Sequence, residues 1–288
     1  MKPPPFGYVR PRSLTEAAAL LQSHGDGAQI LAGGQSLLPT LSLRLSQPTL
    51  LIDINAVEDA TPLEERDGTL RCGARVRHVE LERSELTHRR APLLAMAMPQ
   101  VAHVAIRNRG TPCGSVALAD PAAEIPACVI ALRGDVVLQG SKVSRIVAAE
   151  DFFLGLYETA RGAAEVISEL RFPIAEPDDR FGFAEFTRRL GDFAIVGIAA
   201  AAHLEDRHVV DLRFVVFGCE ARPKLSAVAR ELANGCACDA VPIERIAKAV
   251  ASEIDPMSNA QGDARSKRLQ TRALSARVLT HMFAGEAA

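Results

Sequence analysis

Apolar residues in the first 170 positions alternate between helical spacing and short strand-like runs, and longer strand-like stretches follow. Ser13-Leu14-Thr15-Glu16 forms a capping box, with Ala17, Leu20 and Leu21 on one helical face and Gly25 as a stop. Residues 29–32 read as a short buried strand that Gly33-Gly34 breaks. Ser36 is placed to cap a second helix running to about residue 45, with Pro39 tolerated in its first turn. Residues 50–54 and 69–74 predict strands, and residues 78–86 and 92–104 predict helices. Asp120-Pro121 has the form of an N-cap followed by proline at the first helical position. Residues 136–138 and 165–172 predict two further strands, the second with Val166, Ser168, Leu170 and Phe172 on one face.

The composition shifts at Pro173-Ile174-Ala175-Glu176-Pro177-Asp178-Asp179, a linker by its prolines and charge. Beyond it, residues 181–188, 194–204 and 209–217 predict strands, with Glu205-Asp206-Arg207 as a hairpin turn. The remainder is helical and ends in a long stretch over 264–283. The pattern predicts an α+β chain of two domains, 1–176 and 177–288.

Composition narrows the setting. The chain has 288 residues, 48% hydrophobic and 24% charged, so it can bury a sizeable core without staples. Its 33 basic and 35 acidic side chains nearly cancel, which gives no reason to expect nucleic acid or an anionic membrane as partner. The longest apolar stretch, 194–202, is interrupted by Gly197 and is far shorter than the ~20 residues of a membrane span. The amino terminus has no apolar signal core. Six scattered cysteines (72, 113, 128, 219, 236 and 238) without a CxxC pair fit reduced thiols in a cytoplasm and argue against an iron–sulfur cluster within this chain.

Two segments carry candidate chemistry. In Ala32-Gly33-Gly34-Gln35-Ser36, consecutive glycines can expose backbone N–H groups to an anion, and the following helix adds its positive end. The Ser36 hydroxyl is a further donor. Thr111-Pro112-Cys113-Gly114-Ser115 again places hydroxyls around a tight turn. Each alone is most simply a turn; together they can clamp both sides of a diphosphate. Neither matches GxGxxG or GxxxxGK[ST], which removes support from a Rossmann site and from a Walker A NTPase.

The remaining polar residues read as structure. None of the seven histidines forms HxH or HExxH, and Cys236 and Cys238 have no further ligand at metal spacing. Cys113 fits a small residue filling a turn better than a nucleophile, since no base is assigned beside it. Arg188-Arg189 could face a nucleotide, a partner chain or a carboxylate. No Ser-His-Asp set and no spaced carboxylate pair can be placed. A cofactor cradle without acid–base machinery suits electron relay, in which the cofactor carries the chemistry.

At these residues the chain resembles a known family. The run from Ile30 to Pro39, Ile-Leu-Ala-Gly-Gly-Gln-Ser-Leu-Leu-Pro, is similar to the first FAD-binding motif of the medium subunits of molybdenum hydroxylases. The run from Ile106 through Ser115 to Glu124 is similar to the second motif. Gly191-Asp192-Phe193-Ala194-Ile195-Val196-Gly197 is similar to the start of the family's carboxy-terminal domain. The resemblance implies a vanillyl-alcohol-oxidase-type FAD domain followed by a smaller α+β domain. It implies that Ala32, Gly33, Gly34, Gln35, Ser36 and Leu37, with Thr111, Cys113, Gly114 and Ser115, hold the FAD diphosphate. Asp120 would lie near the ribityl or diphosphate region, and Phe193 beside the isoalloxazine. Cys113 stands where the family usually has the first of two glycines, and Leu118 where a polar residue is common. The resemblance further implies a heterotrimer: a large molybdenum–pterin subunit, a small subunit with [2Fe–2S] clusters, and this chain passing electrons to an external acceptor. A self-contained flavin oxidase or dehydrogenase, and a non-catalytic nucleotide-binding assembly protein, are the other readings.

Overall fold

The computed structural model describes residues 2–283, and its first unit is a small parallel sheet. Strand β1 (Gly7–Val9) leads into helix α1 (Leu14–His24), strand β2 (Ala28–Leu31), helix α2 (Leu37–Ser42) and strand β3 (Leu50–Asp53). Strand β3 lies in the middle, parallel to both β1 and β2. The Ser13 hydroxyl caps α1 by accepting from the Glu16 N–H at 3.0 Å. The Glu16 carboxylate reaches back to the Arg12 N–H, one residue beyond the usual capping-box partner. Leu14, Ala17, Ala18 and Leu21 of this helix are buried with Ile52 and Ile54 of the sheet.

The next stretch holds β4 (Glu64–Arg66), β5 (Thr69–Gly73), α3 (His78–Arg83), α4 (Glu85–Arg90), α5 (Pro92–Ala97), α6 (Val104–Arg107) and α7 (Pro112–Leu118). It continues through α8 (Glu124–Ala131), β6 (Asp135–Gln139), β7 (Ser144–Ala148), α9 (Ala149–Phe152), a hairpin of β8 (Phe153–Gly155) and β9 (Glu158–Thr159), and β10 (Val166–Pro173). Five of these strands form an antiparallel sheet in the order β4-β5-β10-β6-β7.

The last stretch begins with β11 (Asp179–Phe186), β12 (Val196–Glu205), β13 (His208–Phe217) and β14 (Lys224–Leu225), a four-stranded antiparallel sheet in sequence order. Helices α10 (Ala227–Ala233), α11 (Ile243–Glu253) and α12 (Ala264–Phe283) cover one face. The hairpin at Asp206 and Arg207 has both residues at positive φ, 47° and 64°, as a two-residue turn between twisted strands requires. The α+β class expected from the hydrophobic pattern is the class observed.

Several boundaries differ from expectation for local reasons. Helix α2 stops at Ser42 because Arg44 turns to a φ of 58°, and the Leu45 N–H bonds the Thr40 carbonyl in a Schellman closure. Ser36 makes no side-chain cap. The single helix expected over 78–86 is two, since Ser84 leaves the helical region and caps α4 through the Thr87 N–H. The helix expected over 92–104 ends at Ala97, ahead of a 3-10 turn that contains Pro99. Asp120 does not cap a helix beginning at Pro121. Ala119 is left-handed, the Asp120 carboxylate accepts from the Ala122 N–H at 2.9 Å, and α8 starts only at Glu124. In β10, a register shift between Ile167 and Glu169 breaks the expected alternation. Val166 packs with α1, while Ile167, Leu170 and Phe172 join the larger core.

That larger core crosses the middle of the chain. Every residue of α8 is buried, and the helix lies against β12 and β13. Leu70, Cys128, Ile130 and Phe172 therefore share one apolar cluster with Ala199, Val215 and Phe217 of the last sheet. The opposite face of that sheet packs on α10, α11 and α12.

Candidate cofactor site

The first glycine loop leaves the carboxyl end of β2 and enters α2. Gly34 is held at a φ of 72°, a conformation that disfavours any side chain. A Cβ on Gly33 would lie 2.5 Å from the Arg109 carbonyl oxygen and 2.7 Å from the Gly110 Cα. The two candidate segments thus touch, backbone to backbone, at this point. Leu38 N–H bonds the Gly34 carbonyl, whereas the N–H groups of Gly33 to Ser36 donate to no acceptor among the described residues. Bare backbone donors, with no side chain in front of them, fit a diphosphate. Gln35 folds back to donate to the Gly33 carbonyl at 2.9 Å, which fixes the loop from within.

The second segment is not a tight turn but the start of α7. Thr111 is its N-cap, the hydroxyl accepting from the Gly114 N–H at 3.0 Å, and Pro112 takes the first helical position. A Cβ on Gly114 would sit 2.7 Å from the Thr111 hydroxyl oxygen, so glycine keeps this cap closed. The Ser115 N–H bonds the Thr111 carbonyl and is thereby satisfied. Cys113 turns inward: its thiol is buried and points at the Cys72 carbonyl, 3.5 Å away. Burial and the nearby Glu169 charge push that thiol far above its ordinary range, which leaves it inert as a nucleophile.

A polar network that sequence reading did not find joins the two segments. The Asn55 amide donates to the Ala32 carbonyl at 2.9 Å and to the Asp53 carboxylate at 2.5 Å. Arg77 donates through one nitrogen to the Asn55 side-chain oxygen and through the other to the Arg109 carbonyl, each at 2.5 Å. Tyr8 closes the chain with a hydrogen bond to the other Asp53 oxygen. Burial alone would raise the Asp53 carboxyl, but hydrogen bonds from Tyr8 and Asn55 outweigh it and hold the group below its ordinary value. Asp53 therefore stays ionised as the anchor of the network. His78, buried behind Gly110, donates its backbone N–H to the Gly110 carbonyl at 3.0 Å. Desolvation, aided by the Arg107 and Arg77 charges, lowers its imidazole to about 4, so it is neutral. Apart from Asn55 and Asp53, which are two residues apart, these partners are separated by 22 to 45 residues, and no local spacing signals them.

Asp120 lies past α7, where the exposed Tyr157 hydroxyl donates to it at 3.2 Å. Phe193 sits on the connection between β11 and β12 with its side chain 60% exposed. That connection is anchored at Gly191, whose φ is 83° and whose Cβ position is filled by the His103 ring and the Ala102 carbonyl. Arg188 bonds the Ala260 carbonyl, so its guanidinium ties loop to loop. Cys236 donates to the Leu232 carbonyl and packs against the second core, of which Cys238 is part. Among the described residues no helix is long and apolar enough to cross a membrane.

This geometry, a glycine loop ahead of a helix with a second capped segment packed on it, suits the diphosphate of a nucleotide cofactor. Residues 4–175 match the family model described as the FAD binding domain in molybdopterin dehydrogenase. Residues 181–282 match that of the CO dehydrogenase flavoprotein C-terminal domain. The chain belongs to this flavoprotein family, FAD is its cofactor, and its activity class is oxidoreductase. It is 40% identical over 210 residues, 73% of its length and 71% of the relative's, to the caffeine dehydrogenase subunit beta of a Pseudomonas species. It is 35% identical, over 92% of each chain, to the nicotine 6-hydroxylase medium subunit of Paenarthrobacter nicotinovorans. A solved structure of carbon monoxide dehydrogenase from Hydrogenophaga pseudoflava superposes with a TM-score of 0.94 at 34% identity, over 99% of both chains.

Proposed function

We propose that this chain is the electron-relaying FAD subunit of a heterotrimeric molybdenum hydroxylase. It would take electrons from the iron–sulfur clusters of a small subunit, themselves reduced by a large molybdenum–pterin subunit, and pass them to an external acceptor. The observation that carries this reading is the match of both family models in sequence, together with the direct contact of Gly33 with Arg109 and Gly110. When bound, FAD supplies the ability to accept and release electrons. The chain's own residues would do the rest. The backbone of Ala32, Gly33, Gly34, Gln35, Ser36 and Leu37 would hold the diphosphate, with the Ser36 hydroxyl beside it. Thr111, Gly114 and Ser115 would form the opposite wall, and Cys113 would support it from the core side through its inward thiol. Asp120 would face the sugar–phosphate chain, and Phe193 would cover the ring system on the side of the last sheet. We take residues 1–176 and 177–288 as the two domains, with the ring system reached from both, and a cytoplasmic setting for the complex.

The test is the absorbance spectrum of the purified full chain, with the released cofactor identified by chromatography, followed by identification of copurifying chains. A flavin spectrum, FAD on release, and two partners carrying molybdenum and iron–sulfur clusters are the expected result. FAD with measurable turnover by the isolated chain would instead favour a self-contained flavin oxidase or dehydrogenase. The phosphate cradle is tested by Gly34→Val, which places a side chain at positive φ at a cost of ~1–2 kcal/mol. It should abolish FAD retention while far-ultraviolet circular dichroism stays unchanged. Full flavin content in that variant would remove the first loop from the site.

A further inference from the structure

Two carboxyl groups are buried where α8 meets the last sheet, and nothing described above uses them. Glu124 is the first residue of α8 and is 6% exposed. Glu185 lies on β11, on the same face as Phe181 and Phe183, which pack against the large core. Both Glu185 carboxyl oxygens are shielded from solvent and have no hydrogen-bond partner. Cys128, one turn along α8 from Glu124, is fully buried and within electrostatic reach of both carboxyls. The side chains that share a cluster with Cys128 from α5, β12 and β13 include Leu94, Ala97, Ala199, Val215 and Phe217, all apolar. The Asp120 charge acts on Glu124, and the Glu124 charge acts on Glu185.

An ionised carboxylate with no partner in such a place is strongly disfavoured, and a second negative charge within electrostatic reach makes it more so. The group relieves this by keeping a proton. Burial, aided by the Asp120 charge, pushes Glu124 up to about 7; burial, aided by the Glu124 charge, pushes Glu185 up to about 8. Protons leave such a pair in two steps that belong to both residues. Near neutral pH it thus holds one proton and can take another.

Its position gives this capacity a use. Glu124 closes the second candidate motif, four residues after Asp120. The Gly218 N–H bonds the Pro121 carbonyl at 2.8 Å, which fastens the end of β13 to that motif. Strand β11 runs on from Glu185 into the connection that carries Phe193, and the Phe186 carbonyl accepts from the Ile195 N–H. The Tyr157 hydroxyl on Asp120 gives the cluster an exposed end.

We propose that Glu124 and Glu185 form a buried carboxyl pair that takes up a proton from solvent when the bound FAD is reduced and returns it on reoxidation. The inference rests on the reading of Asp120 and Phe193 as flanking FAD. Two electrons from an iron–sulfur donor, or from dithionite in the test, reduce the cofactor, which binds one proton itself. A second proton, from water by way of Asp120, converts one carboxylate of the pair to a carboxylic acid. The added negative charge is thereby balanced by a proton held on the protein. Glu124 and Glu185 act as positioning residues for charge, not as groups that touch substrate.

The experiment is a dithionite titration of the full chain carrying FAD, from pH 6.5 to 8.5, for wild type, Glu185→Gln and Glu124→Gln. Loss of one proton per two electrons weakens the pH dependence of the reduction equilibrium by tenfold per pH unit, or ~30 mV per pH unit for a two-electron couple. Both variants should show that shallower slope, and Glu185→Gln, which lies outside both motifs, should keep its flavin content. Equal slopes in all three proteins overturn the inference. If either variant loses FAD, the wild type alone decides, through its reduced-minus-oxidised infrared spectrum. A protonated-carboxyl band should appear on reduction, and its absence overturns the proposal. A wild-type chain that binds no FAD would overturn the functional reading itself, an outcome distinct from equal slopes.

Discussion

Asn55 shows how much of the site depends on one short side chain. It links the Ala32 carbonyl on the first loop to Arg77, which in turn holds the Arg109 carbonyl on the second segment. Asn55→Ala leaves a partly buried carbonyl and a guanidinium without their partner, which costs about 1–3 kcal/mol. We expect a lower melting temperature. FAD binding should weaken about tenfold for each ~1.4 kcal/mol of that cost that falls on the bound state. Calorimetric titration of the variant with FAD checks this, and an unchanged affinity would show that the two loops keep their spacing without Asn55. The break between strand and helix at the first loop was legible in the sequence because Gly33-Gly34 is a local signal, and Gly34 at a φ of 72° makes that break. The bracing network was not legible, because Tyr8, Asp53, Asn55 and Arg77 meet only once β1, β3 and the start of α3 are assembled. Cys113 was read as a small residue filling a turn, whereas it lies in the first turn of α7 and the direction of its thiol is set by the core beneath it.

The same division holds for elements. Helix α1 and the hairpin of β12 and β13 were readable because cap, face and turn lie within a few residues. The breaks at Ser84 and Pro99 carried their own signals, a competing cap and a missing N–H, but continuous apolar spacing masked them. The start of α8 misled for a different reason. Asp120 bonds the Ala122 N–H in a turn of its own, and Ala119 at a φ of 54° diverts the chain before it. Helix α7 was missed although Thr111-Pro112 is the cap-plus-proline signature that was credited to Asp120-Pro121. Thr111 is the residue on which α7 turns. Thr111→Ala should cost ~1 kcal/mol through loss of the cap, or about 2–4 °C in melting temperature for a chain of this size. It should also weaken FAD binding, and Thr111→Ser, which restores the hydroxyl oxygen, should recover both. A cap-independent α7 would show the same melting temperature for the alanine and serine variants.

At the scale of the whole molecule, the core that joins α8 to the last sheet makes stability and titration one problem. Glu185 and Glu124 are buried in that junction with values raised to about 8 and about 7 from the 4.5 of an exposed glutamate. The folded state therefore holds protons that the unfolded chain has released. The stability each contributes is fully present below pH 4.5 and is lost as pH rises through the folded value. His78 runs the other way: lowered from 6.5 to about 4, it contributes stability that is present above pH 6.5 and lost as pH falls through 4. Below pH 6.5 His78 and the two glutamates oppose each other; above pH 6.5 the glutamates change, and His203, raised by its hydrogen bond with Asp179, changes in the same sense. Urea unfolding of the FAD-saturated chain should then show stability falling over that upper window, at no more than about 1.4 kcal/mol per pH unit for each group. Glu185→Gln should flatten the fall, and the variant should gain on wild type as the pH is raised. A variant that tracks wild type at every pH would mean that Glu185 finds water or a partner in solution, and the proposed proton uptake by the carboxyl pair would lose its physical basis along with it.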